Sequence, residues 1–212
     1  MWSVGSLLNG DSRVKFDHYL RALLGGGEEG SPKPKAVKMP KNLIFPERGL
    51  VFDFFFKTEG TQWVAWHDAI EVLDIAPSAS VSSLIVPTSE TVRQTFFFDL
   101  FLSHQVPVLF VGPTGTGKSA IVNDRLLKLP KDIYIPNSIT FSARTTAGQT
   151  QDIVFSKLDR RRKGVFGPPM GKKCVVFVDD LNMPLKEKYG AQPPVELLRQ
   201  WQDHKHWCVE EE

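Results

Sequence analysis

Cysteine is scarce: two in 212 residues, Cys174 and Cys208. They do not form a C-x-x-C pair, which argues against a disulfide framework or a thiolate metal site and for a reducing compartment. No apolar run is long enough to cross a bilayer. The opening "MWSVGSLLNGDSR" (1–13) has neither the basic start nor the long apolar stretch of a secretion signal. The expectation is a soluble, intracellular protein without a membrane partner. Net charge is almost lacking too, at +2, so charge alone gives no reason to propose a nucleic-acid partner. There is no internal repeat. What is present is 42% hydrophobic and 24% charged residues, enough for a folded core of one domain, or of a domain plus part of another.

Along the chain, "SRVKFDHYLRALL" (12–24) places Phe16, Leu20, Leu23 and Leu24 on one helical face. Asp11 or Ser12 can cap it, Gly25 to Gly27 can stop it, and its apolar face calls for a partner that need not lie in this chain. Residues 25–42 read as linker or exposed loop. "RGLVFDFFFK" (48–57) alternates as a mostly buried strand. "TQWVAWHDAIEVL" (61–73), with tryptophans three apart, reads as helix. His67 and Asp68 within it have no matching metal ligands nearby. "PTSETVRQTFFFDLFLSHQ" (87–105) reads as a helix capped by Thr88 or Ser89 and apolar around most of its girth, hence well buried. Then strands at 106–111, 138–143 and 174–179 alternate with helices at 119–129 and 146–158. That alternation predicts an α/β fold, a parallel sheet with helices on both faces. "DRRRKGVFGPPMGKK" (159–173) is basic and turn-rich, read as a solvated helix end and loop, or as a contact with nucleic acid or a neighbouring subunit.

The strand "VPVLFV" (106–111) runs into "GPTGTGKS" (112–119), a complete G-x-x-x-x-G-K-[ST] between a strand and a helix. Gly112, Gly115 and Gly117 let the backbone bend and approach a ligand closely. The amides of Gly115 to Ser119, with the positive end of the helix, cradle phosphate oxygens. Lys118 reaches the β- and γ-phosphates, and the Ser119 hydroxyl helps coordinate Mg²⁺. The bound ligand is then a nucleotide with Mg²⁺. In "KCVVFVDDLNMP" (173–184) an apolar strand ends in two aspartates. A cation explains such a pair better than packing does, because burying unpaired carboxylates is costly. Asp179, 60 positions after Ser119, is the natural Mg²⁺ acid, acting through a bound water. Asp180 stands where P-loop hydrolases usually carry Glu as base. Its carboxylate falls about 1–1.5 Å short, and misplacement on that scale costs roughly a hundredfold in rate. Slow or conditional hydrolysis is expected. The alternative for Asp180 is a turn residue before "LNMP".

Several stretches carry a family likeness: "VPTSETVRQ" (86–94), "VLFVGPTGTGKS" (108–119), "FSARTTAGQTQ" (141–151), "RRRKGVFGPPMGKKCVVFVDDLNMP" (160–184) and "KYGAQPPVELLRQW" (188–201). The chain resembles axonemal dynein heavy chains, specifically the third AAA+ module of the motor ring, over nearly all of residues 2–207. The resemblance implies a P-loop AAA+ large subdomain. In it Gly112, Pro113, Thr114, Gly115, Thr116, Gly117, Lys118, Ser119 and Ala120 bind the nucleotide, ATP or ADP (Walker A), and Cys174 to Asp180 are Walker B. Val86, Pro87 and Thr88 line the adenine pocket. It further implies three segments: the end of the preceding module's lid (1–29), a linker with lead-in (30–85), and a C-terminally truncated AAA+ large subdomain (86–212). The sensor strand, arginine-finger region and helical lid of such a module should follow Glu212, so the sequence is taken as a fragment or short isoform. The implied partners are the other AAA+ modules, dynein intermediate and light chains, and microtubules through the full complex, in the cytoskeleton of the axoneme. A scaffold fragment with an unfilled or non-hydrolytic site is the alternative. A nucleic-acid-stimulated ATPase using "RRRK" is disfavoured by the near-neutral charge.

Overall fold

A computed structural model describes residues 5–25, 40–71 and 84–207. The readings for residues 26–39, for 72–73 and for Cys208 lie outside the described residues. The chain divides into two units, Met1–Leu109 and Phe110–Glu212.

In the first unit, α1 (Gly10–Gly25) forms on the expected periodicity. Its cap is Asn9, whose Oδ1 accepts from Ser12 N at 2.9 Å, rather than Asp11 or Ser12. Its apolar face finds a partner in the same unit, with Phe16 5.5 Å from the Phe52 ring. Beside it lies a charge that the periodicity hides. Asp17 is 5% exposed. It accepts from Val51 N at 2.7 Å and pairs with Arg21 at 3.0 Å. Arg21 also donates to Pro46 O and Gly49 O, at 2.8 and 3.0 Å. This cluster clamps α1 to the segment before the first strand. Asp17→Ala leaves a buried amide and part of a guanidinium unmatched. It is expected to destabilise this unit by about 3 kcal/mol, the low end for breaking a buried pair because Arg21 keeps its two carbonyls. Urea unfolding followed by the fluorescence of Trp63 and Trp66 measures it.

Two readings of this unit are corrected. Residues 48–57 are not one strand. Asp53 Oδ2 accepts from Leu50 N at 2.8 Å, winding Val51–Asp53 into a 3-10 turn before β1 (Phe54–Lys57). The helix read over 61–73 is instead β2 (Gln62–Ala65), antiparallel to β1, followed by a 3-10 turn at Trp66–Ala69. Gly60 and Thr61 adopt φ of 90° and 47°, reversing the chain as left-handed residues do. Aromatic pairing then holds the hairpin, with Trp63 4.1 Å from Phe45 and Trp66 4.6 Å from Phe55.

Helix α2 (Ser89–Ser103) starts at Thr88, whose hydroxyl accepts from Thr91 N. Phe96 and Phe97 pack on Trp66 at 5.3 and 5.9 Å. It is less buried than its composition suggested: Phe98 is buried, but Leu100 is 40% exposed.

The strand read at 106–111 is also corrected. The segment pairs with no strand among the described residues, and the division between units falls within it. Leu109 and Val111 are 70% and 72% exposed. Apolar β-branched residues favour extended backbone, but a strand needs a neighbouring edge to complete its ladder.

In the second unit, α3 (Lys118–Leu127) buries Ile121, Val122 and Leu126. The parallel sheet has two strands, β3 (Tyr134–Thr140) and β6 (Lys173–Asp179), in register from Tyr134↔Lys173 to Thr140↔Asp179. β3 begins four residues before its expected start at 138. Pro136 hid this, because proline reads as a breaker yet is tolerated on an edge strand, where its missing N–H costs no ladder bond. Between them come α4 (Ala147–Phe155), capped by Thr146 with Gln149, and a hairpin, β4 (Asp159–Arg162) with β5 (Val165–Gly167). The hairpin corrects the helix-end-and-loop reading of 159–173. Gly164, at φ 69°, supplies its turn. Helix α5 (Pro193–His204) closes the unit. Ile139, Phe141 and Val154 form the core, with Val178, Val195, Leu198 and Trp207 against it. β6 is half-buried rather than buried, with Val176 39% exposed.

Candidate functional site

The loop 112–117 leads into α3, and Gly115 and Gly117 sit at φ 81° and 80°. A side chain is strained in that region, so these two positions require glycine. Gly117 is the cap residue of α3, so the helix begins at Lys118 with no side chain closing its amide end. The loop is braced from within. Thr116 Oγ1 donates to Pro113 O at 2.9 Å. Lys118 Nζ donates to Gly112 O, Pro113 O and Thr116 Oγ1 at 2.9, 2.6 and 3.3 Å. The lysine ammonium therefore lies over the concave side of the loop, where phosphate oxygens would meet it. Pro113, Thr114 and Ala120 are exposed around it.

Ser119 Oγ donates to Asp179 Oδ1 at 2.8 Å, across 60 positions of sequence. Asp180 N donates to the same oxygen at 3.0 Å. Phe141 N donates to Asp179 O at 3.0 Å, so the β3–β6 ladder holds this strand end in place. Among the described residues Oδ2 of Asp179 accepts no hydrogen bond. A hydroxyl and a carboxylate are hard oxygen donors, which suits Mg²⁺, an ion that retains water and takes one or two carboxylates plus phosphate oxygens. The residues present fit that ion.

Asp180 is exposed, at φ 53°, and its carbonyl accepts from Met183 N at 2.9 Å. Its carboxylate has no partner among the described residues. This is turn geometry, which aspartate tolerates better than most residues. The loop beyond it is tied by Gln192, a residue the motifs did not single out. Its Nε2 donates to Asn182 O at 3.2 Å and Pro184 O at 2.6 Å. The sole hint in sequence is one amide before a double proline. Val86, Pro87 and Thr88 belong to the first unit, where Val86 is 67% exposed and Thr88 caps α2.

Cys174 is a free, half-buried thiol on β6. Burial pushes its pKa up, partly offset by the Lys157 cation, so it stays a protonated, small apolar strand residue. His67 and Asp68 pair with each other at 2.8 Å on the surface, and the described residues contain no group of three or more potential metal ligands.

A glycine loop opening a helix, with a strand-end carboxylate held against the second residue of that helix, defines a P-loop nucleotide-binding protein. Comparison with known proteins narrows the class. The family model described as the P-loop containing dynein motor region matches residues 73–212, and the dynein heavy chain AAA lid domain matches residues 1–68. The chain is 61% identical over 210 residues to "Dynein axonemal heavy chain 3" of Mus musculus, covering 98% of this chain and 5% of that protein. It is 60% identical to the Homo sapiens protein of that name, with the same coverage. Against "Dynein axonemal heavy chain 12" of Rattus norvegicus identity is 50%, covering 98% of this chain and 7% of that protein. The chain belongs to the dynein heavy chain family. It spans 5% to 7% of the length of these relatives. Among the described residues no helix is long and apolar enough to cross a membrane.

Proposed function

We propose that this chain carries a regulatory nucleotide site of a dynein motor ring, which holds ATP or ADP with Mg²⁺ and turns it over slowly. The Ser119–Asp179 hydrogen bond at 2.8 Å carries the reading, because it joins the two oxygen donors a Mg-nucleotide site needs. Gly112 to Ala120 hold the phosphates, and Ser119 and Asp179 hold the ion. Bound there, Mg²⁺ would offset the negative charge of the phosphate oxygens. Slow turnover rests on Asp180, whose left-handed turn and short side chain suit it poorly to orient an attacking water. The names of the relatives support placement in the axoneme, where other AAA+ modules, intermediate and light chains, and microtubules are engaged through the whole complex. We also take residues 1–29 as the end of a preceding module's lid, 30–85 as linker and lead-in, and 86–212 as the nucleotide-binding part.

The test is titration of the chain with a fluorescent ATP analogue, with Mg²⁺ and with EDTA. Saturable binding is expected, weakened about tenfold by EDTA. Asp179→Asn keeps the side-chain shape but loses the charge, and should bind almost equally with and without Mg²⁺. A second reading, a scaffold fragment whose site is not filled, is favoured by the unladdered segment 106–111. Absence of binding by the folded chain would establish it instead.

A further inference from the structure

The β4–β5 ribbon has no part in the nucleotide site. It enters β6 at Lys173, and Asp179 ends that strand six residues on, roughly 20 Å away. Residues 159–173 hold six cations and one anion, against a net charge of +2 for the whole chain. All of β4 is exposed. Arg161 donates to Pro168 O, whereas Arg160 and Arg162 have no acidic partner among the described residues.

The register shifts between Arg160 and Arg162: Arg160 stands opposite Phe166, and Arg162 opposite Val165. Neighbouring residues of a strand point to opposite faces. The bulge therefore sends these two guanidinium groups to opposite faces of the ribbon. Phe166 stacks on Phe155 at 4.3 Å, and Phe155 meets Trp207 at 5.6 Å, so the ribbon is anchored to its unit. The ribbon has two strands and no third among the described residues, which leaves the outer edge of β4 unladdered.

We propose that this edge docks an acidic, extended protein segment. The segment adds as a strand beside β4 and sets consecutive carboxylates, one on each face, against Arg160 and Arg162. Cations along an edge repel most strands; an acidic one is the strand this edge admits. Single-stranded nucleic acid fits less well, since its recognition leans on stacking by exposed aromatic rings and Phe166 is committed inward.

The test is fluorescence anisotropy of the full chain with a labelled peptide of Glu-Glu pairs separated by Val-Thr. Comparison probes are its Gln counterpart, a backbone N-methylated version and a U-rich RNA oligonucleotide. The Glu peptide should bind in a salt-sensitive way, with the Gln and N-methylated peptides at least about tenfold weaker. Arg160→Glu with Arg162→Glu should abolish peptide binding and leave nucleotide titration unchanged; Arg160→Gln with Arg162→Gln, a milder pair, should weaken it. Equal binding of the Gln or N-methylated peptide, tighter binding of RNA, or unchanged affinity in the Gln pair would overturn the proposal.

Discussion

Lys118→Ala should weaken nucleotide binding by about ten- to a hundredfold. A hydrogen bond to a charged group contributes about 1.5–3 kcal/mol, and each 1.4 kcal/mol is about tenfold in affinity. The lysine acts twice. Its ammonium supplies the positive charge over the loop, and it braces Gly112 O and Pro113 O. Alanine removes both, so the upper end of the range is expected. Lys118→Arg keeps the charge, but its planar fork does not reproduce a compact ammonium inside a tight loop. It should recover part of the affinity and not all. Equilibrium titration of the three proteins with Mg²⁺ present decides it, with far-UV circular dichroism to verify folding. Affinity unchanged in Lys118→Ala would mean that the ligand is not held by its phosphates.

Phe141→Ala should destabilise the second unit by about 3–5 kcal/mol, the usual range for emptying a buried aromatic site. Phe141 is 2% exposed and packs in the core with Ile139 and Val154. Its amide also bonds to Asp179 O, so its packing and the position of Asp179, the proposed Mg²⁺ acid, are linked. Nucleotide affinity should therefore fall together with stability. Phe141→Leu retains most of the volume, so a smaller loss is expected in both. Urea midpoints measure the first effect and nucleotide titration the second. If stability fell while Mg-dependent binding stayed intact, the β3–β6 ladder would not be what positions Asp179.

The contrast between the two hairpins and the phosphate loop explains what could be read in advance. "GPTGTGKS" is a contiguous motif whose function depends on its own backbone: glycines at left-handed positions and amides at a helix start. Such a site is local, so eight adjacent residues suffice to name it. The apolar run ending at Asp179 is similarly local. "TQWVAW" is different. Tryptophans three apart suit a helix, yet they also suit a strand and the turn that follows it, and Phe45, Phe55 and Phe56 decided between them. "DRRRKGVFG" has no apolar alternation to mark it as strand. It becomes a ribbon because Phe166 finds Phe155.

The phosphate-loop geometry and family membership were thus legible from residues in order along the chain, since local backbone geometry and motif spacing carry both. Tertiary structure decided everything that depends on which surfaces meet. It brought Ser119 to Asp179 across 60 positions. It buried Asp17, beside the apolar face of its helix, by setting the Val51 amide against it, while Arg21 one helical turn on supplies the ion pair. It left "VPVLFV" without a ladder among the described residues, although its composition is that of an interior strand. A one-dimensional pattern specifies which backbone is preferred; only packing supplies the partner that each hydrogen bond and each buried charge requires.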